Sequence, residues 1–492
     1  AAVIGRDVDL GLLAGASGRD LDACLDDVEP AVLHRLLAPV PDQPGVYRFA
    51  HPLVREVVVD DISSLRRARL HLRVADALED VDDNAEILAE HLWQAVPIGV
   101  GTRAAAALER AARVAVRRLA YTTAQELLQR AVQLRRTAGT DPPSLEAELR
   151  AVAFLVSVTG AHQGYPALIG SPLLTRGKQL AEQLGRAPEL VNLLWAEWAG
   201  LDVACQFQQG DPIAEELLDL SRVTDVAVAP ILGHTAYGIS RWHHGDLPAA
   251  AEHLDAARNS ADAMPAETLA AVLFDLDQLR LSLPFSIYIH DLIGDLDDVE
   301  GRYEELARRL PGDRYWELVV SNFAASGALL TGDLPRAERA ARRGLASDPD
   351  GVFVFWNTAG QAYLGASVAL QGRLDEGLPL LGTAWARYTA MGLRTNGVTL
   401  LASRTQALAR AGRMDEATAS LAEAQRELAV YHERYAEPAL LLAEAVLRHA
   451  RGDDPADVAK TFASAAELAT AQGGHAVAAR IRATAAALGY SL

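Results

Sequence analysis

Apolar residues recur along most of this chain at the spacing of one helical face. From Leu329 to Arg451 the pattern also repeats: LLTGDLPRAERAARRGLA, then ALQGRLDEGLPLLGTAWA, ARAGRMDEATASLAEAQREL and HARGDDPADVAKTFASAAEL. Each copy sets a glycine before a helix start, at Gly332, Gly372, Gly412 and Gly452, a constant interval of 372 − 332 = 40 residues. A fixed period in this range is the signature of a solenoid. In HHGDLPAAAEHLDAARNSA an equivalent glycine stands at Gly245, 332 − 245 = 87 residues earlier, about two periods, so one degenerate unit is predicted between.

One copy predicts a helical hairpin. Gly332 ends the first helix, because glycine takes the left-handed conformation other residues resist. Asp333 can cap the second helix and Pro335 suits its first turn. Ala337, Ala341, Gly344 and Leu345 then share one face. The matching positions are Ala250, Leu254 and Ala257; Gly377, Leu381 and Ala384; Ala417, Leu421 and Ala424; and, after one inserted residue, Val458, Phe462 and Ala465. A single hairpin cannot bury such a face, whereas stacked neighbours can.

The first 62 residues read differently. Asp7–Ala16 and Arg19–Leu37 are helical by pattern. The turn-rich PDQPG and Val46-Tyr47-Arg48-Phe49 suggest a two-stranded wing near Val40–Phe49, and Pro52 opens a further helix. That order predicts a winged-helix module. The acidic run Asp20, Asp22, Asp26, Asp27 and Glu29 on its second helix disfavours a DNA-reading role. Residues 63–140 form two connector hairpins, and 141–492 the repeat array. The predicted fold is therefore all-α: a tetratricopeptide-like helical-hairpin solenoid, or superhelix, behind a small winged-helix module.

Composition narrows the function. The chain has 492 residues, half of them hydrophobic, and a net charge of −19. Such acidity disfavours nucleic acid or anionic membrane as a direct partner. Two distant cysteines, Cys24 and Cys205, offer no metal-ligand spacing and suit a reducing cytoplasm. No apolar run reaches the ~20 residues of a membrane span. No nucleophile–base arrangement is visible, so the chain is not expected to be an enzyme. In Trp242-His243-His244 the two adjacent imidazoles diverge on a helix, which argues against a shared metal.

Aromatic residues concentrate mid-chain. Trp316 and Trp356 occupy one repeat position, 16 residues before Gly332 and Gly372, and Asn396 takes that position in the next copy. Two readings are open. Either the tryptophans pack hairpin against hairpin, or, with Glu317, Asn357, Arg394 and Asn396, they line a concave groove holding a small-molecule effector or a protein partner.

Two stretches carry a family resemblance. GRDVDLGLL, AVLHRLL, YRFAHPLVREVV and SSLRRARLHLRVADALE resemble the end of the nucleotide-binding region of signal-transducing ATPases with numerous domains. More closely, the chain resembles the large ATP-binding regulators of LuxR type, the group that includes the maltose-operon activator. The 40-residue repeat, with AEPALLLAEAVLRHARGD near its end, is similar to their superhelical sensor. The resemblance implies ligand sensing and protein interaction within a cytoplasmic transcriptional activator. It implies that His51, in FAHPLVRE, faces the phosphates of ATP or ADP in the full-length protein. The chain departs from the family in lacking a G-x-x-x-x-G-K-[ST] phosphate loop and a C-terminal helix-turn-helix. It therefore reads as a regulatory fragment with no cofactor of its own, reaching DNA only through a missing domain and capable of self-association. The alternative is a helical scaffold without a small-molecule ligand.

Overall fold

A computed structural model describes residues 1–79, 81–265, 280–309 and 312–492. The chain divides into two compact units, Ala1–Val158 and Thr159–Leu492, with the division inside one helix.

The first unit opens with a three-stranded antiparallel sheet, β1 Asp7–Asp9, β2 Leu37–Pro39 and β3 Val46–Phe49, in the order β1-β3-β2. This corrects the two-stranded expectation. Asp7–Asp9 is a strand rather than a helix start because β3 gives it a partner: Val8 lies opposite Tyr47, and Asp7 opposite Arg48, whose Nη2 donates to its carboxylate at 2.8 Å. Asp9 then caps α1 (Leu10–Ser17), accepting from the Leu12 N–H. α2 (Leu21–Leu33) and α3 (Pro52–Asp60) complete this part, around a small core of Val8, Cys24, Val28, Leu37 and Phe49. The two connector hairpins follow as α4 (Ser64–Ala77), α5 (Ala85–Gln94), α6 (Gly101–Arg117) and α7 (Tyr121–Arg136), then α8 (Pro142–Gln163). The alanine-rich face of α6 is fully buried at Ala104, Leu108, Ala111 and Ala115.

The second unit is an array of helical hairpins. Its helices are α9 (Pro172–Leu184), α10 (Ala187–Val203), α11 (Phe207–Val223), α12 (Ala229–His243), α13 (Leu247–Ala263), α14 (Ser282–Ile293) and α15 (Val299–Arg308). After them come α16 (Arg314–Thr331), α17 (Leu334–Ser347), α18 (Val354–Leu370), α19 (Leu374–Ala390) and α20 (Gly397–Arg410). The last four are α21 (Met414–Tyr431), α22 (Glu437–Arg451), α23 (Pro455–Ala471) and α24 (His475–Ala487).

All five predicted glycines turn a hairpin in the left-handed region, with φ from 75° at Gly412 to 89° at Gly332. Gly294, at φ 85°, turns the degenerate unit between them. Asp333 caps α17 by accepting from the Arg336 N–H at 3.1 Å. The predicted small-residue faces are buried at Ala250, Leu254, Ala337, Ala384, Ala417, Val458, Phe462 and Ala465. In α18 and α19 the backbones nearly touch: a Cβ added at Gly377 would stand 2.4 Å from the Ala369 nitrogen. No larger side chain fits there.

The array also closes on itself. Arg480 of α24 donates to the carbonyls of Leu329 at 2.6 Å and Leu330 at 2.9 Å, at the end of α16. The Leu247 N–H donates to the Gln472 carbonyl at 3.2 Å, and the Arg394 N–H to the Val203 carbonyl at 2.8 Å. Hairpins far apart in the chain thus share one interior.

Candidate functional site

Trp316 stands in the first turn of α16 and is 2% exposed. Its Nε1 donates to the Leu306 carbonyl at 3.2 Å, wedging the indole against the end of α15. Trp356, at the equivalent place on α18, is half-buried; its Nε1 donates to the Tyr315 hydroxyl at 3.1 Å and its ring meets Phe323 and Phe355. Both rings pack one hairpin on the next, and Trp316 has no face left for a ligand.

The polar neighbours are engaged as well. Glu317 pairs with Arg343. Asn357 donates to the carbonyl and the carboxylate of Asp348, each at 3.0 Å, and accepts from Gln361 at 2.9 Å. Arg394 donates to the Tyr431 hydroxyl at 3.0 Å and to the carbonyls of Thr389 and Leu393, with its guanidinium 5.5 Å from the Tyr431 ring centre. Asn396 is held left-handed at φ 65°. Among the described residues no hydrogen bond joins the Trp316–Asn357 set to Arg394 and Asn396. His51 is exposed in the first unit, where it precedes Pro52 of α3 and makes no capping bond with its side chain.

Asn396 leads to the cluster that sequence reasoning missed. Its N–H donates to Glu433 Oε1 at 2.6 Å, and the Val398 N–H donates to Glu433 Oε2 at 3.3 Å. The Tyr435 hydroxyl donates to Asn396 Oδ1 at 2.8 Å. Glu433 is 1% exposed, placed in the interior by the left-handed His432 that ends α21. Burial pushes its carboxyl up to about 7, although His243 and the two backbone N–H donors favour the charged form. His243 is fully buried at the end of α12, with Nε2 3.2 Å from Asp202 Oδ1. That approach is misdirected for a hydrogen bond, and neither ring nitrogen is bonded. His244 diverges to Asp211 at 2.8 Å, so the two imidazoles do not converge.

Aromatic rings enclose these groups. Trp242 packs tilted on Tyr435 with centres 4.1 Å apart and meets Phe285 and Tyr288 edge-on. The Trp242 Nε1 is buried and unbonded. Tyr288, Tyr363 and Tyr388 lie within electrostatic reach of Glu433, and burial raises their hydroxyls above the usual range. Chemically, this interior takes up a proton near neutrality, and it holds an imidazole and an indole N–H that no protein group bonds. Among the described residues no group of three or more His, Cys, Asp or Glu is placed to hold a metal ion. The local signals were faint: His243 stood out only as half of a His-His pair, and Glu433 as one acid among many.

No protein-family model matches this chain. No curated protein sequence matches it either. Among solved structures, it is similar to a Rap protein complexed with Competence and Sporulation Factor, at 12% identity and a TM-score of 0.43 over 71% of this chain and 98% of that one. It is also similar to a Signal Transduction ATPase with Numerous Domains (STAND) protein with a tetratricopeptide repeat sensor from Pyrococcus horikoshii. Identity there is 14% and the TM-score 0.32, over 79% of this chain and 62% of that one. Neither likeness is strong enough to bear on what this chain binds.

Proposed function

We propose that this chain is the ligand-sensing and protein-interaction region of a cytoplasmic transcriptional activator, governing an ATPase and a DNA-binding domain that lie outside it. One observation carries the reading: distant hairpins meet around Glu433, His243 and Trp242, where buried polar atoms lack partners. Buried polar groups are ordinarily satisfied, and here His243 and Trp242 keep hydrogen-bonding capacity that no protein group uses. An effector that binds the closed and open arrays unequally shifts the balance between them. This reading puts the effector at the interior cluster rather than along Trp316 and Trp356. The three-stranded sheet with α1–α3 acts as the winged-helix module, and His51 meets nucleotide phosphate in the full-length protein. The chain itself is not an enzyme and holds no cofactor. Among the described residues no helix is long and apolar enough to cross a membrane.

The test is a thermal-shift screen of small polar metabolites against wild type and His243→Ala. A ligand of the folded array raises the melting temperature of wild type. If His243→Ala responds equally to every hit, the interior is not the effector site. A second reading, a scaffold without a small ligand, is favoured by the packing of Trp316 and Trp356. It predicts protein partners in a pull-down and no metabolite hit.

A further inference from the structure

The first unit holds an open cavity of about 630 Å³ that the proposed function does not use. α3 contributes Arg55, α4 contributes Arg67 and His71 one turn apart, and α5 contributes Glu86, Ile87, Glu90 and His91. Val3, Ile4 and Val59 supply the apolar part of the lining.

Several charges in this cavity are left unpaired. Arg55 is anchored by its Nε, which donates to the Ala2 carbonyl at 2.9 Å, so its orientation is fixed while its Nη groups remain unbonded among the described residues. Neither Arg67 nor Glu86 has an ion-pair or hydrogen-bond partner for its side chain among those residues. They line one cavity with opposite charge and do not close on each other. Glu90 lies beside them and is shared with Arg130 at 2.9 Å and Gln94 at 2.8 Å. The two histidines add no charge. Their Nδ1 atoms are 2.8 Å apart, a distance that needs one to donate and the other to accept. Burial first, and then His91, hold the His71 imidazole down to about 4. At neutral pH the cationic groups of the lining are therefore the two arginines, from α3 and α4, and the anionic groups are the two glutamates of α5.

We propose that this cavity binds the zwitterion of an α-amino acid with an aliphatic side chain. Arg55 and Arg67 receive the carboxylate, which arginine recognises through paired N–H donors. Glu86, with Glu90 behind it, receives the ammonium. Ile4, Val59 and Ile87 cover the side chain. The site is separate from the interior cluster of the second unit and does not depend on that reading.

Titration calorimetry on the full chain at low salt tests it with three probes: L-leucine, isocaproate, which lacks the amine, and isoamylamine, which lacks the carboxylate. Leucine is expected to bind, and each one-charge probe at least about tenfold more weakly, roughly 1.4 kcal/mol. Arg67→Ala and Glu86→Gln should each weaken leucine by about the same factor while keeping the wild-type melting temperature, because neither side chain has a protein partner to lose. Glu433→Gln should leave leucine binding unchanged. No binding at millimolar leucine, or isocaproate binding as tightly as leucine, overturns the proposal.

Discussion

Replacing Glu433 with glutamine isolates the energetic cost of a buried carboxylate. In the folded chain this group loses its proton near pH 7; in the unfolded chain it does so near 4.5. Between those values the folded state holds the extra proton, so unfolding releases it and stability falls as pH rises. The loss begins near pH 4.5 and is complete above about 7. At about 1.4 kcal/mol per pH unit, a difference of about 2.5 units corresponds to roughly 3 kcal/mol. The glutamine amide keeps the shape of the acid but cannot ionise, and its –NH2 cannot accept the backbone N–H that Glu433 Oε2 accepts, a cost that does not vary with pH. The stability of Glu433→Gln relative to wild type should therefore rise by about 2–3 kcal/mol between pH 5 and pH 8. Urea unfolding of both proteins at intervals across this range measures it. The difference between the two curves cancels the other carboxylates, which titrate equally in both. A difference independent of pH refutes the reasoning, because Glu433 would then be ionised throughout or not buried in the folded state.

Three further outcomes are expected. Trp316→Ala should cost about 3–5 kcal/mol in chemical denaturation, since it empties a closed site and orphans the Leu306 carbonyl; the half-buried Trp356→Ala should cost less. Asp291→Ala should cost about 3 kcal/mol, because it removes the carboxylate bonded to the buried Arg336 guanidinium at 2.8 Å and leaves only the exposed Asp333, 3.7 Å from Nε, as counter-charge. The purified chain should show neither ATP hydrolysis in a phosphate-release assay nor sequence-specific duplex DNA binding by mobility shift at physiological salt.

The hairpins were legible because their signals are local. A glycine forced to positive φ and a small residue where two backbones approach are both written within a few positions of the turn they make. Gly332 and Gly377 are examples. The strand Asp7–Asp9 was not legible, since three residues cannot display an alternation, and it is a strand only because β3 lies beside it. Trp316 and Trp356 were placed correctly in the repeat, but periodicity reports position and not exposure. Their surroundings are set by Leu306 and Tyr315, which the repeat pattern does not mark. The Glu433 cluster was least legible of all, because Asp202, His243, Asn396 and Glu433 meet only once the array has closed. An acidic helical sequence offers many similar glutamates and nothing local distinguishes this one.

The bond from Arg480 to the end of α16 changes how the second unit must assemble. In an open repeat each hairpin touches only its neighbours, so folding can start anywhere and spread, and damage at one end stays there. Here residues 151 and 150 positions apart are tied by one guanidinium. Contacts of such long range require large loops to be closed before they stabilise anything, which slows folding. They also tie down the last helix, where the array would otherwise fray. The hairpins between α16 and α24 then share one fate, and that stretch should melt as a block rather than peel repeat by repeat.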